Sequence, residues 1–121
     1  MIPSREQVVG VIVTYFPDIS ALRDLVQAAR PQVSALVVID NTPATAVHRA
    51  CPPIEGIEII SNGFNAGLAA ALNSGCEWAR DRGAPFALLF DQDSVPATDM
   101  FEQLRAAWAA GASAGLRVAA A

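Results

Sequence analysis

An α/β sandwich with a mainly parallel sheet is the fold class that this chain of 121 residues predicts. Three observations predict it. Short apolar runs, continuous rather than alternating, mark strands buried on both faces, as parallel sheets require. Stretches with apolar residues at helical spacing fall among them, giving the order strand, helix, strand, strand, helix, strand, helix, strand. Polar and acidic residues close several of the strands, at the carboxyl ends where open sheets of this kind bind ligands.

Val8 to Val13 is apolar except for Gly10 and reads as the first strand, followed by the loop Thr14-Tyr15-Phe16-Pro17-Asp18. Leu22, Leu25, Val26 and Ala29 lie on one face of a helix expected over about residues 19–30. Asp18 or Ser20 can cap it, and Pro31 helps stop it. Ala35 to Ile39 is a second buried strand ending in Asp40-Asn41, after which Thr42-Pro43 is expected to turn the chain. Residues 44–56 read as irregular, with Pro52-Pro53 blocking regular structure, and Ile57 to Ile60 as a short third strand. The loop Asn62-Gly63-Phe64-Asn65-Ala66-Gly67 then enters a helix over about residues 66–82. Its packed face is expected to be Leu68, Leu72, Cys76 and Ala79, with Gly83 at its end. Phe86 to Phe90 is the fourth strand. Phe101, Leu104 and Trp108 mark a helix over about residues 98–110, Gly111 to Gly115 a small-residue loop, and Leu116 to Ala121 the start of another strand. The chain stops inside that last run. It is therefore expected to be one domain, residues 1–121, truncated at its carboxyl end, with its unfinished sheet favouring association into a homo-oligomer.

Composition narrows the function. Hydrophobic residues make up 53% and charged residues 17%, a globular and not a disordered balance. A net charge of −4 argues against general nucleic-acid binding, which needs a basic face. All eight basic residues are Arg, and G-x-x-x-x-G-K is absent, which excludes a lysine phosphate loop. Cys51 and Cys76 lack metal-ligand spacing, and a reducing compartment fits them; Cys76 is expected to be buried packing. The amino terminus lacks the apolar core of a signal peptide, and no apolar run approaches the ~20 residues of a membrane span.

The most informative segment is Asp91-Gln92-Asp93-Ser94, directly after the fourth strand. Carboxylates at i and i+2 of an extended backbone point the same way. Burial does not explain two acids there, whereas a Mg²⁺ ion carrying substrate phosphates does. Their bland alternative is a turn or a helix cap. Asp40 is placed to accept from the imide N–H of a pyrimidine base, its alternative being a turn residue. Asn65 and Gly67 stand at a helix start, which favours an N-cap taken alone and also suits a diphosphate. Tyr15 is placed to stack on a base or to pack. His48, the only histidine, has no nucleophile partner, so no Ser-His-Asp chemistry is expected.

Taken together, Val11-Ile12-Val13-Thr14-Tyr15, Val37-Val38-Ile39-Asp40-Asn41, Asn65-Ala66-Gly67-Leu68-Ala69-Ala70-Ala71-Leu72-Asn73 and Leu88-Leu89-Phe90-Asp91-Gln92-Asp93-Ser94 resemble the family 2 glycosyltransferases with the GT-A fold, in order and in spacing. The Thr-Tyr-x-Pro start and the Asp-Gln-Asp-Ser variant look most like the branch that uses dTDP-rhamnose in bacterial surface polysaccharide synthesis. The resemblance implies a Rossmann-like three-layer sandwich and a metal-dependent, inverting sugar transfer. Thr14 and Tyr15 would line the base pocket and Asp40 would read the base. Asn65 and Gly67 would shape the loop beside the nucleotide. Asp91 would meet the ribose or the metal shell, and Asp93 would hold Mg²⁺ or Mn²⁺ on the diphosphate. It further implies a dTDP- or UDP-sugar donor, a saccharide or lipid-linked acceptor, and a cytoplasmic site of action, with peripheral association at the inner membrane face. Phe16 stands where the family often has Asn, and Thr42-Pro43 where it often has Gly-Ser. The family's catalytic base and acceptor site lie after the Asp-x-Asp, so the base is expected beyond residue 121. Two alternatives are a non-catalytic interaction module and a sugar-1-phosphate nucleotidyltransferase, whose glycine-rich basic first loop is missing after Val13.

Overall fold

Strands β1 (Val8–Thr14), β2 (Ala35–Pro43), β3 (Glu58–Gly63) and β4 (Phe86–Asp91) form one parallel sheet in the order β3-β2-β1-β4. They belong to a computed structural model that describes residues 4–93 and 96–113, with side chains as far as residue 107. The central strands β1 and β2 are buried on both faces, which is why their sequences are continuously apolar. Strand alternation divides their side chains between two cores. Val8, Ile12, Leu36 and Val38 face α1 (Ile19–Ala29) and Phe101 at the start of α3 (Met100–Ser113). Val9, Val11, Val37 and Ile39 face α2 (Leu68–Asp81). The result is helix, sheet, helix: three layers, a GT-A-type Rossmann-like plan. Each fully buried Val, Leu or Ile contributes about 1.5–3 kcal/mol.

α1 follows the sequence expectation closely. Its buried residues are Leu22, Leu25, Val26 and Ala29, and the Asp18 carboxylate caps it by accepting from the Ala21 N–H at 3.1 Å.

α2 does not. Leu68 is 62% exposed and Cys76 is exposed, while Ala71, Gly75 and Ala79 are the buried positions and Leu72 is half-buried. The expected face is rotated by about one residue. The reason is closeness: a Cβ on Gly75 would stand 2.3 Å from Cγ1 of Val11. Only small side chains let the helix axis approach β1 this nearly, so the large apolar residues are turned outward. Gly83, with φ +78°, ends the helix region as expected.

Four boundaries also move. β3 starts at Glu58 and runs on to Gly63, past the expected end at Ile60 and into the expected loop, because Ser61 and Gly63 still pair with β2. β2 continues through Thr42-Pro43 instead of turning there, with a register irregularity against β3 between Asp40 and Pro43. Ala44–Arg49, expected to be irregular, forms 3₁₀ turns broken by a kink at Ala46 (φ −120°, ψ 38°). α3 runs through Gly111 to Ser113, where a loop is expected, because the Ala-rich stretch before it carries the helix across one Gly penalty of about 1 kcal/mol. The expected strand over Leu116 to Ala121 and the Trp108 side chain lie outside the described residues.

The connections fix where a ligand can enter. β1 passes through α1 to β2 on one side, and β3 passes through α2 to β4 on the opposite face of the sheet and the other side of β1. Strand order therefore reverses between β1 and β4, and the crevice outside their carboxyl ends is the topological switch point.

Candidate functional site

Two kinds of acid stand on this rim. Asp40 lies opposite Thr14 in the β1–β2 register and is fully buried. Its Oδ1 accepts from the Thr14 hydroxyl at 3.0 Å, the Thr42 hydroxyl at 2.7 Å and the Thr42 N–H at 3.1 Å. Its Oδ2 accepts from the Cys51 N–H at 2.8 Å. Four donors replace water around the carboxylate, which is how an acid is tolerated at zero exposure. This differs from the placement expected of a base-reading acid: neither Asp40 nor Thr14 presents an atom at the surface. Cys51, beside this acid, has its thiol pushed up to about 11, first by burial and then by the negative charge of Asp40.

Asn41, one residue on, faces the other layer. Its Nδ2 donates to the Gly67 carbonyl, and its Oδ1 accepts from Asn62 Nδ2 at 2.8 Å and, more loosely, from the Ala66 N–H. One buried amide thus joins the ends of β2 and β3 to the amino end of α2. Gly67 is the N-cap of α2 and has φ +87°, a conformation that favours glycine. Asn65 is not the cap; its Oδ1 accepts from the Gly67 N–H at 3.0 Å and so shapes the turn before the helix.

Asp91 and Asp93 are exposed, and among the described residues neither has a hydrogen-bond or ion-pair partner. Asp91 closes β4, paired in register with Val13. Between them Gln92 turns onto β1. Its Oε1 accepts from the Tyr15 N–H at 2.8 Å and its Nε2 donates to the Tyr15 carbonyl at 3.2 Å. The amide closes the gap between two strand ends and leaves the flanking carboxylates to solvent. Among the described residues no cluster of three or more His, Cys, Asp or Glu can hold a metal. Two carboxylates are the hard-oxygen set that suits Mg²⁺ or Mn²⁺ carried in on substrate phosphates.

The rim beside Tyr15 is aromatic. Tyr15 is 46% exposed, and its ring meets that of Phe16 edge-on at 4.6 Å. Phe16 holds φ +46°, unusual for a residue with a Cβ. Its N–H donates to the Thr42 hydroxyl at 2.9 Å, and the Arg49 guanidinium lies 4.5 Å over its ring. His48 is exposed.

Sequence reasoning put Asn41 and Gln92 on the rim with no role assigned, and it missed Thr42 and Arg49, which join the contacts there. The only cue for Thr42 was its place two residues after Asp40. Gln32 was missed as well. It accepts from the Phe101 N–H at 2.7 Å and donates to the Ala97 carbonyl at 2.9 Å, so the chain after Asp93 is pinned near the amino end of β2.

The class that fold and rim define is a three-layer α/β domain on a parallel sheet, with two exposed acids beside its switch point. The model of glycosyl transferase family 2 matches residues 10–119, and the chain belongs to that family. It is 32% identical over 100 residues to the dTDP-rhamnosyl transferase RfbF of Shigella flexneri, an alignment that covers 83% of this chain and 34% of that protein. The chain thus spans about a third of the length of the curated relative that it matches. No solved structure matches it significantly. Among the described residues, no helix is long and apolar enough to cross a membrane.

Proposed function

We propose that this chain is the donor-binding portion of a glycosyltransferase that moves a sugar, rhamnose from dTDP-rhamnose, onto a saccharide acceptor in surface polysaccharide synthesis. The observation that carries the reading is the pair of exposed acids, Asp91 and Asp93, beside the end of β1 in a chain of this family. The similarity to a dTDP-rhamnosyl transferase supports the choice of donor.

The donor's diphosphate would lie at the carboxyl ends of β1 and β4, with its base against Tyr15. Asp93, with Asp91, would hold Mg²⁺ or Mn²⁺ there; such an ion supplies Lewis-acid neutralisation of a departing nucleoside diphosphate. Asp40 acts from below: it holds Thr14, Thr42 and residue 51 in place, and the base-reading role expected of it passes to groups that it positions. Asn65 and Gly67 set the turn beside the nucleotide. An inverting transfer needs a base to take the acceptor hydroxyl's proton, and none of the described residues on the rim is assigned to it.

Calorimetric titration of dTDP and of UDP, with and without Mn²⁺, into the wild type and Asp93→Ala tests the reading. Metal-dependent binding that Asp93→Ala abolishes, tighter for dTDP than for UDP, is the expected result. A folded protein that binds neither nucleotide overturns it.

A further inference from the structure

We infer that Arg49 is a donor-binding residue, its guanidinium held over the Phe16 ring to receive the negative charge of the nucleotide's phosphates. The inference rests on the donor-site reading above and adds a residue to it.

Three observations carry it. The first is placement. Arg49 stacks on Phe16, Phe16 meets Tyr15, and the Tyr15 backbone is clasped by Gln92 between the two rim acids. One continuous line of contacts therefore leads from the guanidinium to the Asp-x-Asp segment.

The second is charge. A nucleoside diphosphate brings negative charge to a rim that exposes Asp91 and Asp93. Arg5, Arg30 and Arg82 lie next to the amino ends of β1, β2 and β4, and Arg23, Arg80 and Arg105 ride on α1, α2 and α3. Arg49 is the arginine carried by a connection at the carboxyl rim, and among the described residues it has no carboxylate partner.

The third is preorganisation. The buried Asp40 fixes both members of the stack. Through Oδ1 it holds the Thr42 hydroxyl that accepts the Phe16 N–H, and through Oδ2 it holds the Cys51 N–H, two residues beyond Arg49. A flexible exposed arginine needs no such scaffold. One whose planar guanidinium must meet a phosphate in a set geometry gains from it, since less side-chain freedom is lost on binding.

The test compares dTDP with thymidine, which has the base and no phosphate, in the wild type, Arg49→Ala, Arg49→Lys and the helix-surface control Arg23→Ala. Arg49→Ala is expected to weaken dTDP binding about tenfold or more and to leave thymidine binding unchanged. Arg49→Lys recovers part of the loss, because it keeps the charge and stacks less well. Unchanged dTDP affinity in Arg49→Ala, with Asp93→Ala still abolishing metal-dependent binding, overturns the role of Arg49 and leaves the donor site standing. Equal loss of dTDP and thymidine also overturns it, since the residue would then be shaping the pocket without meeting phosphate. A wild type that binds no nucleotide overturns the donor-site reading and this one together.

Discussion

Asp40 and Asp93 stand on the same rim, at or just past the ends of strands that flank β1, and they are opposite kinds of acid. Asp40 has no exposure and four protein donors. Asp93 is exposed and has none among the described residues. A carboxylate is stable in a fold either because the protein solvates it or because water does. The first kind is committed to structure. The second is left available to whatever ligand replaces the water. The contrast is one of donors, not of sequence, for both acids follow an apolar strand.

Replacing Asp40 is the strongest way to break the comparison. Asp40→Ala leaves the Cys51 and Thr42 N–H groups and two buried hydroxyls without an acceptor. A loss of about 3–5 kcal/mol in chemical denaturation is expected; a loss under about 1 kcal/mol would mean that the network is ornamental. Thr42→Val removes one of the shared hydroxyls, which both donates to Asp40 and accepts from Phe16. A smaller cost of about 1–2 kcal/mol is expected in the same assay, together with a weakened Phe16–Arg49 stack.

Cys51 sharpens the contrast through pH. Its thiol is held up to about 11 in the folded state, against an ordinary value of 9.0. The unfolded chain therefore loses this proton first as pH rises, so the unfolded state binds fewer protons and stability falls from about pH 9 through 11. Urea midpoints should decline over that window, and less steeply in Cys51→Ser. At pH 8 an alkylating reagent should modify the exposed Cys76 and spare Cys51; equal labelling of both in the folded protein would contradict the buried position of Cys51.

The smallest effect belongs to the other acid. Asp93→Ala should change stability by no more than about 0.5 kcal/mol, because it removes no partner of a described residue. A clear thermal destabilisation would place Asp93 with Asp40 among the structural acids.

Much of this was legible in the chain. Val8 to Thr14 and Ala35 to Ile39 are buried on both faces, so their composition alone declares a parallel sheet. The Leu22, Leu25, Val26, Ala29 stripe of α1 could be read directly, because there the large apolar residues are the buried ones. The Asp-x-Asp after β4 stood out because no core needs it. The sequence by itself thus determined the layers, the succession of strands and helices along the chain, and the rim on which a ligand would be sought.

Tertiary structure decided the rest. In α2 the face turned on how near the helix lies to Val11, a distance set by the sheet, so small residues displaced Leu68 and Cys76 from the core. Asp40 and Asp93 could not be told apart from their neighbours along the chain, since the Cys51 and Thr14 donors arrive from 11 and 26 residues away. The stack of Arg49 on Phe16 spans two connections that only the pairing of β1 with β2 brings together. Periodicity reports burial along one element; which acid is solvated by protein and which by water depends on donors that the fold alone delivers.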